Sequence, residues 1–280
     1  MLVTFRAIVC VLVAFVLAAG SAINSRAFAA DDVAKADAAI EARPAASEAE
    51  LKYWLENMVR YHGFSVEETA AATGLSLGEV QKNLKAFTIQ PESQKGRDSL
   101  LLLPWPSGRH PRIGFLEGAI LPQRETKVSI FTPWGDHDYV VVDVPEAVWS
   151  NLGLTYLAHT HIPTVFDKQG KTLKKLEWNR HADGTLDIER VLPNGIRFGA
   201  VVRPKIDHVQ MELWLKNGTP ALLTDLRVQN CVMLKSASGF NAQTNDNKQS
   251  EGPYAIARSA NGNRWIITAW EPNHRVWFNE

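Results

Sequence analysis

The sequence has only two cysteines and no excess of charge of either sign. These two features argue against a disulfide-rich protein and against a strongly basic nucleic-acid-binding protein. Its 280 residues include two cysteines, Cys10 and Cys231, and its 30 basic residues balance 30 acidic ones. A balanced chain has no net positive charge that would steer it toward nucleic acid or an anionic membrane. Cys10 lies in an N-terminal segment with the features of a signal peptide, so the mature chain has one thiol and no internal disulfide. Cys231 precedes Val-Met-Leu and is predicted to be a buried core thiol.

Common catalytic motifs are also missing. No G-x-S-x-G, P-loop or G-x-G-x-x-G pattern precedes a predicted helix. Acidic residues such as Asp143 and Glu177 are present, but spacing alone cannot pair carboxylates across a sheet. The sequence therefore leaves open whether the protein is an enzyme.

The first 29 residues have the organisation of a secretory signal. Arg6 is followed by an uncharged run from 7 to 19, and alanines flank Phe28 shortly before Asp31. A cation, an apolar run of about a dozen residues and a small-x-small site are typical of a signal peptide. The run is too short for a membrane span. We therefore predict removal of residues 1–29, export to the periplasm or the extracellular space, and no membrane span in the mature chain.

A flexible spacer and a small helical module are predicted next. Residues 30–47 are rich in alanine and acidic residues and form the spacer. In residues 48–88, Ser65 and Ser76 each precede a glutamate by three positions, which is a capping box, and Gly74 supplies a turn. The pattern E-x-x-A-x-x-x-G-L-S-x-x-x-V-x-x-x-L resembles the helix-turn-helix of sigma-factor-type regulators. Its second helix has only two lysines, so we expect no nucleic-acid partner.

From residue 99 to 280 the pattern is that of β-structure. Short runs rich in β-branched and aromatic residues are separated by Pro and Gly. Residues 209–215 alternate apolar and polar side chains, which predicts a half-buried strand, and Asn194-Gly195 predicts a hairpin turn. The predicted fold is mainly β: an antiparallel, supersandwich-like β-sandwich preceded by a small three-helix, helix-turn-helix-like module.

Two histidines are candidate metal ligands. His159 and His161 are separated by one residue on a predicted strand, so both imidazoles lie on one face and both can bind one divalent transition metal. A third ligand would come from His110, Glu177 or His274. The alternative is two partly exposed strand histidines that hydrogen-bond to their neighbours.

Arginines in predicted loops are candidate ligand-binding residues. Arginine binds carboxylates and sugar hydroxyls in planar geometry, and loops on a rigid sheet are common binding sites. The predicted ligand-binding residues are Arg109, His110, Arg112, Arg124, Trp270 and His274. The alternative is a solvated loop with local Arg–Glu pairs. Among the tryptophans, Trp214 and Trp134 are the exceptions to a core position, because Trp214 falls on the polar face of its strand and Trp134 lies in a loop.

Several longer stretches carry a resemblance to a family. They are L-K-Y-W-L-E-N-M-V, R-H-P-R-I-G-F-L-E-G-A-I, P-Q-R-E-T-K-V-S-I-F-T-P-W, N-L-G-L-T-Y-L-A-H-T-H-I-P-T and R-V-Q-N-C-V-M-L-K. From about Leu51 to about Arg275 the chain resembles an uncharacterised family of secreted bacterial proteins, which implies export but no assigned activity. The residues around Trp214 also resemble the β-supersandwich of galactose mutarotases. The family resemblance implies a further strand beyond Glu280, so we expect the sandwich to lack its last strand.

Three functions remain open from the sequence. The leading hypothesis is an exported carbohydrate-recognising β-sandwich, in which the arginine-rich loop, Arg124, the two strand histidines and residues 270–274 line one concave face and bind a polysaccharide. The first alternative is a metal-dependent hydrolase or lyase that uses His159 and His161. The second is a structural cell-envelope protein whose helical module docks a partner protein.

Overall fold

The computed structural model describes residues 2–13, 42–94, 100–108, 110–114, 124–158, 162–242 and 244–279. Short helices lie in the N-terminal part, and antiparallel sheets form the rest. The prediction of a mainly β, antiparallel sandwich preceded by three short helices is confirmed. Within the described part, no helix is long and apolar enough to cross a membrane.

Two helices of the module begin at the capping serines that the sequence indicates. Its helices are α1 (Glu48–Leu55), which continues as a π-helical turn (Glu56–Tyr61), α2 (Val66–Thr73) and α3 (Leu77–Ala86). Ser65 and Ser76 each accept a hydrogen bond from the backbone N–H of the glutamate three residues later, and both capping boxes are complete. Gly74 ends α2 with a φ of 78°, a left-handed conformation that favours glycine.

The strands form two sheets. In chain order they are β1 (Leu2–Val13), β2 (Leu102–Pro104), β3 (Lys127–Phe131), β4 (Tyr139–Ser150), β5 (Gly153–Leu157), β6 (Asn179–Arg180), β7 (Leu186–Val191), β8 (Arg197–Pro204), β9 (His208–Lys216), β10 (Arg227–Met233), β11 (Lys248–Glu251), β12 (Tyr254–Arg258) and β13 (Arg264–Glu271). The larger sheet has the order β11-β12-β13-β1-β9-β8-β7-β6. The smaller has the order β10-β4-β3-β2, and β5 pairs with β4.

Alternation along the strands creates the main core between the two sheets. On β4, Val140 and Val142 belong to the same buried cluster as Met211 and Leu213 of β9. The predicted half-buried strand is therefore confirmed at β9, whose residues alternate between buried and half-buried.

The helical module covers the other face of the smaller sheet. Tyr139 and Val141 of β4 pack in one cluster with Leu55 and Met58 of the first helix and its π-helical turn. Successive residues of β4 therefore contribute alternately to the core between the sheets and to the core under the helices. The result is three layers: helices, the smaller sheet, and the larger sheet, whose outer face has no helix of the described part packed on it.

The N-terminal segment is a central strand. β1 lies between β9 and β13 and is antiparallel to both. These are residues that the sequence predicts to be part of a removable signal. The remainder of that predicted signal lies outside the described residues.

Candidate functional site

The structure places His110 and Arg112 against the helical module. Arg112 forms a bidentate ion pair with Glu68 of α2, with its Nε and Nη2 at 2.7 and 2.8 Å from the two carboxylate oxygens. Nη2 also donates to the carbonyl of Gly63 at 2.9 Å. The ring of His110 is buried and stacks on Phe64, with centroids 4.8 Å apart. Both residues therefore connect the β-domain to α2.

The protonation states at this contact are fixed by burial and by the ion pair. Burial lowers the pKa of His110 to about 4, so its imidazole is neutral at pH 7. Burial alone would lower the pKa of Arg112, but its hydrogen bonds to Glu68 outweigh that effect and raise the pKa. The Nδ1 atom of His110 accepts from the backbone N–H of Arg112 at 3.1 Å. This arrangement favours a stable contact over a titrating catalytic group.

Arg124 is enclosed in a second ion cluster. Its side chain is 4% exposed, and its Nε donates to Glu177 at 3.2 Å. Its guanidinium lies 3.9 Å from the ring centre of Trp54. Its Nη1 also donates to the carbonyl of Pro106 at 2.9 Å. The guanidinium is thus engaged with the protein on several sides.

The same cluster includes an arginine of the predicted spacer. Arg43 donates to Glu125 at 3.0 Å and to Glu177 at 2.9 Å. Glu125 is 2% exposed, and Arg190 of β7 lies 3.7 Å from it. Three arginines and two glutamates therefore form a largely buried network that connects the predicted spacer to β7 of the larger sheet and to the segment before β3. Its burial favours a structural role.

The other predicted ligand-binding residues lie elsewhere or outside the described part. Trp270, on β13, packs against the core between the sheets, whereas His110 lies beside the core under the helices. His274 is exposed in the segment after β13. Arg109 lies outside the described residues. The structure brings His110 close to Arg112, but it puts Trp270 against a different core.

The predicted metal ligands, His159 and His161, also lie outside the described residues. Among the described residues, no group of three or more histidine, cysteine, aspartate or glutamate side chains converges in a way that could hold a metal ion. The metal site therefore stays a prediction from the H-x-H spacing.

An open groove lies on the outer face of the larger sheet. It has a volume of about 770 Å³ and crosses β7, β8 and β9 together with the turn that precedes β7. Its polar and aromatic lining includes His181, Asp183, Asp187, Glu189, Arg203 and Trp214. These β7 and β8 residues alternate with Leu186, Ile188 and Val202, which are buried in the core. The groove is therefore a product of regular strand alternation.

Trp214 is the aromatic platform of this groove. It is half-buried on β9 and pairs across the strands with Gly199 of β8. A Cβ atom at Gly199 would lie 2.6 Å from Cζ2 of the indole and 2.5 Å from the carbonyl oxygen of Ile188. Because glycine has no Cβ, the indole can lie over the backbone of β8. The prediction that Trp214 is on the solvent face of its strand is confirmed. The prediction that Trp134 also lies outside the core is wrong, because Trp134 is 8% exposed and packs in the core between the sheets.

Carboxylates dominate the charge of the groove. Asp187 accepts from Asn179 at 2.9 Å and from the ring Nε2 of His181. Burial alone would raise the pKa of Asp187, but these hydrogen bonds outweigh it and lower the pKa. The backbone N–H and hydroxyl of Thr185 lower the pKa of Asp183 in the same way. Both carboxylates are therefore ionised acceptors at neutral pH.

The sequence reasoning missed the groove acids and found the tryptophan. Alternation on one strand shows the face of Trp214, whereas the acids come from β7 and from the turn before it, two strands away in the sheet. Two features of the sequence could have indicated these acids: the turn at Asp183-Gly184, and the alternation that puts Asp187 and Glu189 on one face of their strand.

Comparisons with protein-family models, with curated proteins and with solved structures found no match to this chain. The fold and the groove define the class of protein: a β-sandwich with an N-terminal helical module and an open groove that is lined by carboxylates and by Trp214.

Proposed function

We propose that the protein is an exported carbohydrate-binding β-sandwich and that the groove over β7, β8 and β9 is its binding site. The single observation that supports this proposal is Trp214, whose indole is held over Gly199 in an open groove lined with hydrogen-bonding side chains. Sugar rings have apolar C–H faces, which stack on an indole, and peripheral hydroxyls, which need polar partners.

The groove has the dimensions and polarity of a small-molecule site. Its volume of about 770 Å³ lies within the usual range for ligand pockets. Asp183 and Asp187 are held by hydrogen bonds within the protein, and a carboxylate retains lone pairs for further donors. Fixed acceptors next to a fixed aromatic ring reduce the entropy lost on binding.

The charge of the groove supports one class of sugar as the ligand. Its acids are Asp183, Asp187 and Glu189, and its one arginine is Arg203. An excess of carboxylates repels uronic acids and favours neutral or amine-bearing sugars. The groove thus supports a different ligand class from the carboxylate-bearing sugars that arginines in loops would bind.

A polysaccharide screen with a matched pair of tryptophan variants tests the proposal. The wild-type protein should bind neutral or amino-sugar glycans, and Trp214→Ala should weaken binding about tenfold, the equivalent of about 1.4 kcal/mol of lost stacking. Trp277→Ala is the control, because Trp277 is 50% exposed and does not line the groove. Absence of binding to any neutral or amino-sugar glycan, or equal binding by both variants, would contradict the proposal.

Export has its own test. The mass and N-terminal sequence of protein recovered from the periplasm or the medium should correspond to a chain that begins near residue 30. Recovery of the intact chain only from the cytoplasm would contradict export and would leave the groove's binding to be judged separately.

A further inference from the structure

The larger sheet depends on a strand that export would remove. The β9–β13 slot is the space between His208–Lys216 and Arg264–Glu271, and β1 occupies it in antiparallel pairing with both neighbours. Leu2 to Cys10 pair with β9, and Arg6 to Val13 pair with β13. Residues 6–10 therefore have partners on both sides.

Loss of β1 would divide the sheet. Without it, the order leaves β11-β12-β13 on one side and β9-β8-β7-β6 on the other. The two edges of the slot would then present unpaired backbone N–H and C=O groups along strands of nine and eight residues. Long unpaired edges of this kind pair readily with another chain.

The apolar residues next to the slot must also be shielded from water. Val209, Met211 and Leu213 of β9 and Ile266 of β13 are at most 2% exposed and belong to the core between the sheets. Half-buried Trp270 packs against the same core. Removal of the intervening strand would expose the sides of these apolar residues to water.

The register specifies what a replacement strand must contain. Every second position of β1 from 3 to 9 is opposite one of the buried β9 residues, Leu215, Leu213, Met211 and Val209 in turn. Those β1 positions are valine, phenylalanine, alanine and valine. The slot therefore selects an extended segment with apolar residues at alternate positions and without proline.

We propose that in the exported protein the β9–β13 slot accepts a strand of this chemistry from another polypeptide, which runs antiparallel to both edges. This inference depends on the proposed export and removal of residues 1–29. The mode is β-strand addition, in which main-chain hydrogen bonds provide affinity and alternate side chains provide specificity. The added strand would join the same sheet that carries the groove.

A peptide-addition experiment on the naturally processed, exported protein tests the slot. The probe is a synthetic peptide with the sequence of residues 2–13 in which Cys10→Ser prevents unwanted disulfides. We expect saturable one-to-one binding and a higher melting temperature. The control peptide carries Ala7→Pro, which removes an N–H at a position paired on both sides, and it should bind at least tenfold more weakly.

Disulfide trapping tests the register. A peptide with Ile8→Cys should cross-link to the Gln210→Cys protein, because these positions are opposite each other. It should not cross-link to the Glu212→Cys protein, whose partner position is residue 6. The protein without an added cysteine measures the background from Cys231. Equal cross-linking to both variants would overturn the proposed register and, with it, the slot.

Other results would overturn the proposal in distinguishable ways. A processed monomer that melts cooperatively and binds no peptide would show that no strand is needed. A stable dimer that excludes the peptide would show that a second copy fills the slot. If the mass of the exported chain shows that residues 2–13 are retained, the slot is filled by the protein's own strand. The predicted removal of residues 1–29 would then be wrong, and this conclusion does not depend on whether the protein binds sugar.

Discussion

Acid should destabilise the fold through two buried histidines. His62 is fully buried, and its ring nitrogens lie 2.8 Å from the carbonyl oxygen of Asn57 and 2.7 Å from Oγ of Ser129. Burial lowers the pKa of His62 to about 3 and that of His110 to about 4. Both imidazoles are therefore neutral in the folded protein at pH 5, whereas in the unfolded chain they take up protons near pH 6.5.

The size of the effect follows from these values. Because the folded pKa is below the unfolded one, the unfolded chain binds protons first, and stability falls as the pH decreases below 6.5. From pH 7 to pH 5 each histidine costs about 2 kcal/mol, at 1.36 kcal/mol per pH unit. Together they cost about 4 kcal/mol, a large part of the 5–15 kcal/mol typical of a folded domain. Glu68, whose pKa is lowered from 4.5, contributes mainly below this pH window.

Urea unfolding at pH 7, 6 and 5 measures the loss. The variant His110→Asn keeps a side-chain acceptor for the backbone N–H of Arg112 and removes one titrating group, so the loss should fall from about 4 to about 2 kcal/mol. His274→Asn is the control, because His274 is exposed, and it should retain the full loss. A free energy of unfolding that is the same at pH 7 and pH 5, or an equal loss in the two variants, would refute the reasoning.

Three further predictions concern other residues. Gly199→Ala should lower the free energy of unfolding by about 1–3 kcal/mol in urea titrations, because the added Cβ would lie within 2.6 Å of two neighbouring atoms; an unchanged midpoint would count against the close approach. Lys127→Met should cost about 3–5 kcal/mol, because it leaves Asp143 buried without its 3.3 Å ion pair, and the double variant Lys127→Met/Asp143→Leu should recover most of that loss in the same assay. Metal analysis should find a transition metal that His159→Ala abolishes if His159 and His161 share an ion; a metal-free wild-type protein would end that hypothesis.

Local features of the sequence were sufficient for the helix caps, for the alternation of β9 and for the fold class. A capping box depends on residues three positions apart, so Ser65 and Ser76 could be assigned without tertiary information. Strand alternation likewise showed which face of β9 is buried. The sandwich follows, because many short alternating strands with tight turns can bury their apolar faces only against a second sheet.

The contacts of the candidate site depend on the pairing of distant segments. Arg112 could be seen as a loop arginine, but its partner Glu68 is 44 residues earlier in the chain, on a helix that the sequence could not orient. Arg124 and Glu177 are 53 residues apart. These arginines are engaged with glutamates of the protein itself, and the groove opens instead where strand register puts acids near Trp214.

The N-terminal segment shows why one pattern supports two interpretations. A signal peptide requires an apolar run, and a central strand of a sandwich favours apolar residues at alternate positions, so the uncharged residues 7–13 satisfy both requirements. The local sequence ranks export first because Arg6 and the small-x-small site lie at the expected distances. The sheet adds what no local pattern contains: β9 and β13 are parallel to each other, and a strand antiparallel to both separates them. If export removes that strand, the same apolar alternation becomes a requirement on whatever polypeptide replaces it.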